Sequence, residues 1–282
     1  MRVPPPRHAD SPRHRATRRA VAALVAAACF VISTAVAAAA PSLQQRWLLM
    51  VRTLNKDPER SREFNDWYDK IDIPDVLAVP GFRRAQRGQS VGSCMAATPC
   101  CPDVDERYVA LYDIESRAID KTIIDMLMAT WKMLRAGRDT PLLEVEERVY
   151  YRRMHAPLDI NSGNAKGGAR YLLLERFDTL EGGNDRLIAA QARHLETRTG
   201  PLRVERYELY RVLMFEPRQA PRYLTVYSFA AASEEAAEEA RHALVDFAER
   251  QHAAGYRHAE SLLYRELADV TAEDLRHGQG YP

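Results

Sequence analysis

One pattern of short apolar strands and longer amphipathic segments is written twice in this sequence, and that repetition constrains the fold more than any other feature. In the first copy a strand run, Arg46 to Thr53, precedes a segment with Phe64, Trp67, Tyr68 and Ile71 on one helical face. Ile73-Pro74 is expected to end that helix, because a proline pushes the residue before it out of the helical region. Pro80-Gly81 turns the chain into a second strand, Phe82 to Gln89, and a third strand runs from Tyr108 to Ile114. A helix with Ile119, Ile123, Leu127 and Trp131 at i, i+4 spacing leads to a fourth strand, Val145 to Arg153. The order is β-α-β-β-α-β. It recurs as a strand at Tyr171–Phe177, a helix around Asn184–Glu196 and strands at Leu202–Met214 and Tyr223–Phe229. A helix at Glu234–Arg250 and a strand at Leu262–Leu267 complete it.

The copies also agree residue by residue. Arg46-Trp47-Leu48-Leu49-Met50 matches Arg170-Tyr171-Leu172-Leu173-Leu174, and Gly81 with Arg87 matches Gly200 with Arg206. Arg107-Tyr108 with Tyr112 matches Arg222-Tyr223 with Tyr227, and Tyr151-Arg152 matches Tyr264-Arg265. Each unit folds most simply as a ferredoxin-like split βαβ, two helices on one face of a four-stranded antiparallel sheet. Apolar residues at consecutive strand positions, as in Trp47-Leu48-Leu49-Met50-Val51, require both sheet faces to be buried. The expected fold class is therefore α+β: two ferredoxin-like repeats, 41–155 and 169–272, whose antiparallel sheets pack into an intramolecular α+β barrel. Residues 156–168 read as a linker and 273–282 as a tail.

The N-terminus reads as an address. Basic, proline-rich residues are followed by an uncharged run from Ala20 to Ala40 that ends in alanines. Residues 1–40 are a secretory signal, or an uncleaved anchor, since the run is also long enough to span a bilayer. Either way the body lies outside the membrane, periplasmic or secreted, or held at the inner membrane by residues 20–40 alone. The formal charge of +1 comes from this leader, and the weakly acidic body argues against nucleic acid as a partner. Export makes a disulfide the expected fate of Cys94 with Cys100 or Cys101 in the loop SVGSCMAATPCCPDVDE, with one thiol left over. That loop holds no His to complete a metal site.

The stretch Asn65-Asp66-Trp67-Tyr68-Asp69-Lys70-Ile71-Asp72-Ile73-Pro74 through Val79-Pro80-Gly81-Phe82 resembles the helix-to-strand signature of the dimeric α+β barrel superfamily, in its EthD-like branch. The close match covers about twenty residues and the fold-level match nearly all of Arg46–Val270. The resemblance implies a barrel that hosts cofactor-free monooxygenases, isomerases, polyketide cyclases, haem proteins and members without activity, so it does not fix a reaction. Where such sequences often place a His before Ile-Pro, this chain has Asp72.

Two catalytic candidates follow. Asp72 acts as acid or base if burial raises its pKa, or it caps its helix. His194, aligned opposite Asp72 or Asp75, is a partner or a surface residue. Tyr68, Tyr112 and Tyr227 are ligand-binding candidates, with the strand tyrosines either lining the interior or packing under helices. Arg87 and Arg206 either anchor a carboxylate or sit at strand ends in solvent. No Gly-rich phosphate loop, HExxH, G-x-S-x-G or helical His pair is present, so neither cofactor nor metal is expected, with haem a lesser option. Three functions stay open: a small-molecule enzyme working in the barrel interior, a binder of an apolar or aromatic ligand, and a structural protein with a filled barrel. A homo-oligomer is compatible with all three.

Overall fold

The structure is a computed structural model that describes residues 45–91, 107–160, 168–178, 202–212, 220–250 and 257–277. All of these lie in the second of two units, Leu43–Pro282. The first half runs β1 (Arg46–Asn55), α1 (Ser61–Trp67), a π-helical turn (Tyr68–Asp72), α2 (Ile73–Leu77), β2 (Phe82–Ser90), β3 (Arg107–Glu115), α3 (Ile119–Arg135) and β4 (Leu143–Arg153). A short β5 (Leu158–Ile160) follows. The second half holds β6 (Ala169–Asp178), β7 (Leu202–Val212), β8 (Tyr223–Ala231), α4 (Glu234–Arg250), β9 (Arg257–Thr271) and α5 (Ala272–Arg276). The second-half helix expected around 184–196 lies outside the described residues.

The strands form one mixed-order sheet, β4-β1-β3-β2-β9-β6-β8-β7-β5, in which β4 also pairs with β7. Within each half the order is fourth-first-third-second, which is the ferredoxin-like pairing, and every described ladder is antiparallel. The registers agree between the halves. Leu49 stands opposite Tyr112 as Leu173 stands opposite Tyr227. Leu48 stands opposite Tyr151 as Leu172 stands opposite Tyr264. The two junctions agree as well, with Gly88 opposite Glu266 on β2–β9 and Tyr207 opposite Arg153 on β4–β7.

Strand side chains alternate between faces, so one-residue steps separate two cores. Leu49, Val51, Ala110, Tyr112 and Ile114 point toward the helices and pack with Phe64, Trp67, Ile73, Ile119 and Ile123. Leu48, Met50, Val109 and Leu111 point the other way and meet Leu172, Leu174, Leu224 and Val226 of the second half. Each fully buried aliphatic side chain contributes about 1.5–3 kcal/mol, so this shared core is ample reason for both faces to be apolar. Ion pairs border it: Arg176 with Glu147 at 2.6 Å toward one end, and Arg153 with Glu205 at 2.7 Å toward the other.

Four sequence expectations are corrected. Pro74 does not stop the first helix; it sits in the first turn of α2 behind the π-helical turn. The wider i→i+5 spacing carries the chain past the missing proline N–H and leaves Asp72 at the bend. On α3, Ile119 and Ile123 are buried but Leu127 and Trp131 are 44% and 50% exposed. An i, i+4 row drifts by about 40° per step from the 3.6-residue period, so a stripe that starts on the core leaves it within two turns. The linker contains β5, whose Leu158 and Ile160 pair with Val204 and Leu202 of β7, and the tail begins with α5, capped by Thr271 and Asp274. Lastly, no disulfide bond is present among the described residues, and Cys94, Cys100 and Cys101 lie outside them. The β2–β3 hairpin they connect is held by its own ladder down to Gln89 opposite Tyr108, which needs no covalent clamp.

Candidate functional site

The sheet floor beneath α1–α3 is a grid set by register. One row carries Tyr150, Leu49 and Tyr112 across β4, β1 and β3. The next carries Arg148, Val51, Ala110 and, on β2, Arg87. Small side chains in the middle of that second row leave room, and a pocket of about 340 Å³ opens between floor and helices. Trp67, Val76, Met126, Met133 and Val145 make its walls mainly apolar. The titratable side chains in its lining are Tyr68, Asp72, Tyr112, Asp139, Arg148 and Tyr150.

Asp72 enters from the π-helical turn. The Tyr112 hydroxyl donates to its Oδ2 at 2.9 Å, and Tyr68 adjoins the same pair. Burial pushes the Asp72 carboxyl up to about 6; the Tyr112 bond, Arg148 and Arg87 pull it down less strongly, and Asp75 adds a small upward push. Burial also raises Tyr68 and Tyr112, both of which stay protonated near neutral pH. The arrangement is a carboxyl group poised near neutrality over an apolar cavity with a phenol as its donor, a combination suited to moving one proton.

The sequence candidates fall into distinct places. Asp72, Tyr68 and Tyr112 come together at this pocket, on the helix side of the sheet and not on the face shared by the halves. The interior site expected from sequence is displaced for a parity reason: Tyr112 has the same facing as Leu49 and Ala110, toward α1 and α2. Arg87 is fully buried, bonded to Asn65 and, at 3.0 Å, to Asp69, with its guanidinium 4.5 Å from the Tyr68 ring centre and 4.7 Å from that of Tyr108. It holds α1 to the floor. Tyr227 lies in the second half, where it donates to Glu175 at 2.7 Å, and Arg206 is buried nearby, one row away. His194 lies outside the described residues.

Several lining residues escaped the sequence reading, among them Thr53, Asp139, Arg148 and Tyr150. Strand alternation on β4 places Arg148 and Tyr150 on one face, but only the β1–β4 register shows that face to be the pocket floor. Glu175 also escaped, although an acid inside the apolar run Leu172–Phe177 was a visible signal. Among the described residues no group of three or more metal-ligating side chains gathers.

No protein-family model matches the chain, and no curated protein matches it. Among solved structures, an anthrone oxidase-like protein superposes with a TM-score of 0.50 at 15% identity, over 81% of this chain and 94% of its own. A provisionally named monooxygenase from Lactobacillus acidophilus gives a TM-score of 0.46 at 6% identity, over 80% and 96%. A heme-binding protein from Thermus thermophilus gives 0.43 at 13%, over 84% and 95%. At 15% identity the first likeness is one of fold. The chain is an α+β protein with ferredoxin-like strand pairing.

Proposed function

We propose that this chain is an exported small-molecule enzyme of the EthD-like kind that works without a cofactor, with Asp72 as its general base. The carrying observation is a carboxyl group raised to about 6, held by one phenolic donor at the wall of an apolar pocket. Ionised Asp72 would take a proton from a carbon beside a carbonyl on an aromatic or alicyclic ligand. The C–H electron pair then moves into the carbonyl to give an enolate, the first step shared by isomerase, cyclase and cofactor-free oxygenase chemistry. The apolar wall from Trp67 to Met133 suits a fused-ring ligand. The named anthrone oxidase-like relative in fold is in keeping with such a ligand but adds nothing about residues.

The same reading takes the chain as a tandem duplication whose sheet closes into a barrel; the repeated strand order and the β4–β7 pairing support this. Export rests on the basic leader and the run Ala20–Ala40, and N-terminal sequencing of the mature protein tests it. For catalysis, deuterium uptake at the carbon between ring and carbonyl of 2-tetralone is followed by NMR. The wild-type protein accelerates uptake with a midpoint near pH 6, and Asp72→Asn removes the acceleration. Binding of 2-tetralone without acceleration would instead identify a non-catalytic binder.

A further inference from the structure

The pocket has one wall that the proposed base does not use. Thr53 and Tyr150 are 1% and 0% exposed, both line the cavity, and both hydroxyl groups lack a hydrogen-bond partner among the described residues. A buried unsatisfied hydroxyl costs about 1–3 kcal/mol, so two on one wall call for an occupant that supplies acceptors. Between them along β4 stands Arg148, half-buried, with no ion pair or hydrogen bond among the described residues. It is the single Lys or Arg among the described residues that line the pocket. More deeply buried arginines are engaged: Arg87 by Asp69, Arg153 by Glu205 and Arg176 by Glu147.

We propose that Arg148, Tyr150 and Thr53 form a subsite for the carboxylate of a fused-ring aromatic acid. A carboxylate has two oxygens with about four acceptor positions, enough for a guanidinium fork and two hydroxyl groups. A neutral carbonyl satisfies at most two donors and brings no charge to Arg148, whose guanidinium otherwise acts only on Asp72 through space and without a hydrogen bond among the described residues. The apolar remainder of the ligand then lies over Val51 and Leu49 toward Trp67, with its reactive carbon on the Asp72 side. Two pocket carboxylates, Asp72 and Asp139, repel an anion elsewhere in the cavity, so the register of the ligand is set by this wall. The inference rests on the small-molecule reading of the same pocket and names its substrate class.

The test uses 2-naphthoate and its neutral isostere 2-naphthamide, titrated by calorimetry against the full mature protein at pH 7.5. The wild type binds naphthoate about tenfold or more tightly than the amide. Arg148→Ala weakens naphthoate by about 10- to 100-fold and leaves the amide within twofold, which also shows that the pocket is folded; Arg148→Lys recovers part of the loss. Tyr150→Phe and Thr53→Val each weaken naphthoate about three- to tenfold. Equal affinity for the two compounds, or naphthoate binding unchanged in Arg148→Ala, overturns the carboxylate subsite alone. A wild type that binds neither overturns the pocket and with it the role of Asp72. Naphthoate bound as expected with no tetralone exchange removes only the catalytic reading.

Discussion

The two halves share strand order, register and a tyrosine at the same floor position, yet they pair that tyrosine with carboxylates from different sources. In the second half the acceptor is Glu175, part of the floor itself, between Ser261 and Thr225. In the first half the same floor position is Val51, between Arg148 and Ala110, and the carboxylate is Asp72 from the π-helical turn above. A floor carboxylate sits within reach of buried Arg206 and accepts from Tyr227, so the charges of this half lie in the sheet itself. A carboxylate hung from a helix over an apolar floor leaves a cavity below it, lined by an arginine that makes no ion pair or hydrogen bond among the described residues. Among the described residues, the same strand pattern thus carries a buried carboxylate in the floor of one half and a pocket under a helix-borne carboxylate in the other.

The difference breaks most sharply at Glu175. Glu175→Val, which copies the first half's floor, removes the acceptor of the Tyr227 hydroxyl and the negative charge near buried Arg206; a loss of about 3–5 kcal/mol is expected in urea unfolding at pH 7. Asp72→Asn should do the reverse. The native Asp72 pKa of about 6 exceeds the unfolded value, so the folded chain keeps a proton that the unfolded chain has released. Stability therefore falls as pH climbs from about 4 to about 6 and stays lowered above that. Asp72→Asn removes this penalty, stabilising the protein by up to about 3 kcal/mol at pH 7 and by nothing below about pH 4. The tyrosines give the next contrast. Tyr227→Phe takes a donor from a fully buried carboxylate and should cost about 1.5–3 kcal/mol. Tyr112→Phe costs less than about 1 kcal/mol, because Asp72 borders the pocket, but it lifts the Asp72 midpoint further by removing the bond that favours its charged form.

Much of the fold is legible because strand periodicity and the matched residues carry both facing and register. Leu49 with Tyr112 and Leu173 with Tyr227 fall opposite each other at positions that already match in sequence. The site is less legible. Asp72 stands out through its place before Ile-Pro, but its setting depends on a π-helical turn that Pro74 hides, since a proline reads as an end and not as a bend. Arg148 is invisible for another reason. An arginine two residues from a tyrosine on a strand reads as an edge or a solvated face until the partner strand is known. The face expected to become a barrel interior drew the expected site because apolar runs promise a cavity; in the structure Leu48, Met50, Leu172 and Leu174 pack with one another on that face.

The most direct measurement is the pH titration of the Asp72 side-chain carboxyl carbon by NMR, assigned by its loss in Asp72→Asn. A midpoint near 6, moving upward in Tyr112→Phe, is the predicted result. A midpoint near 4 that ignores Tyr112 would contradict a base poised over this pocket.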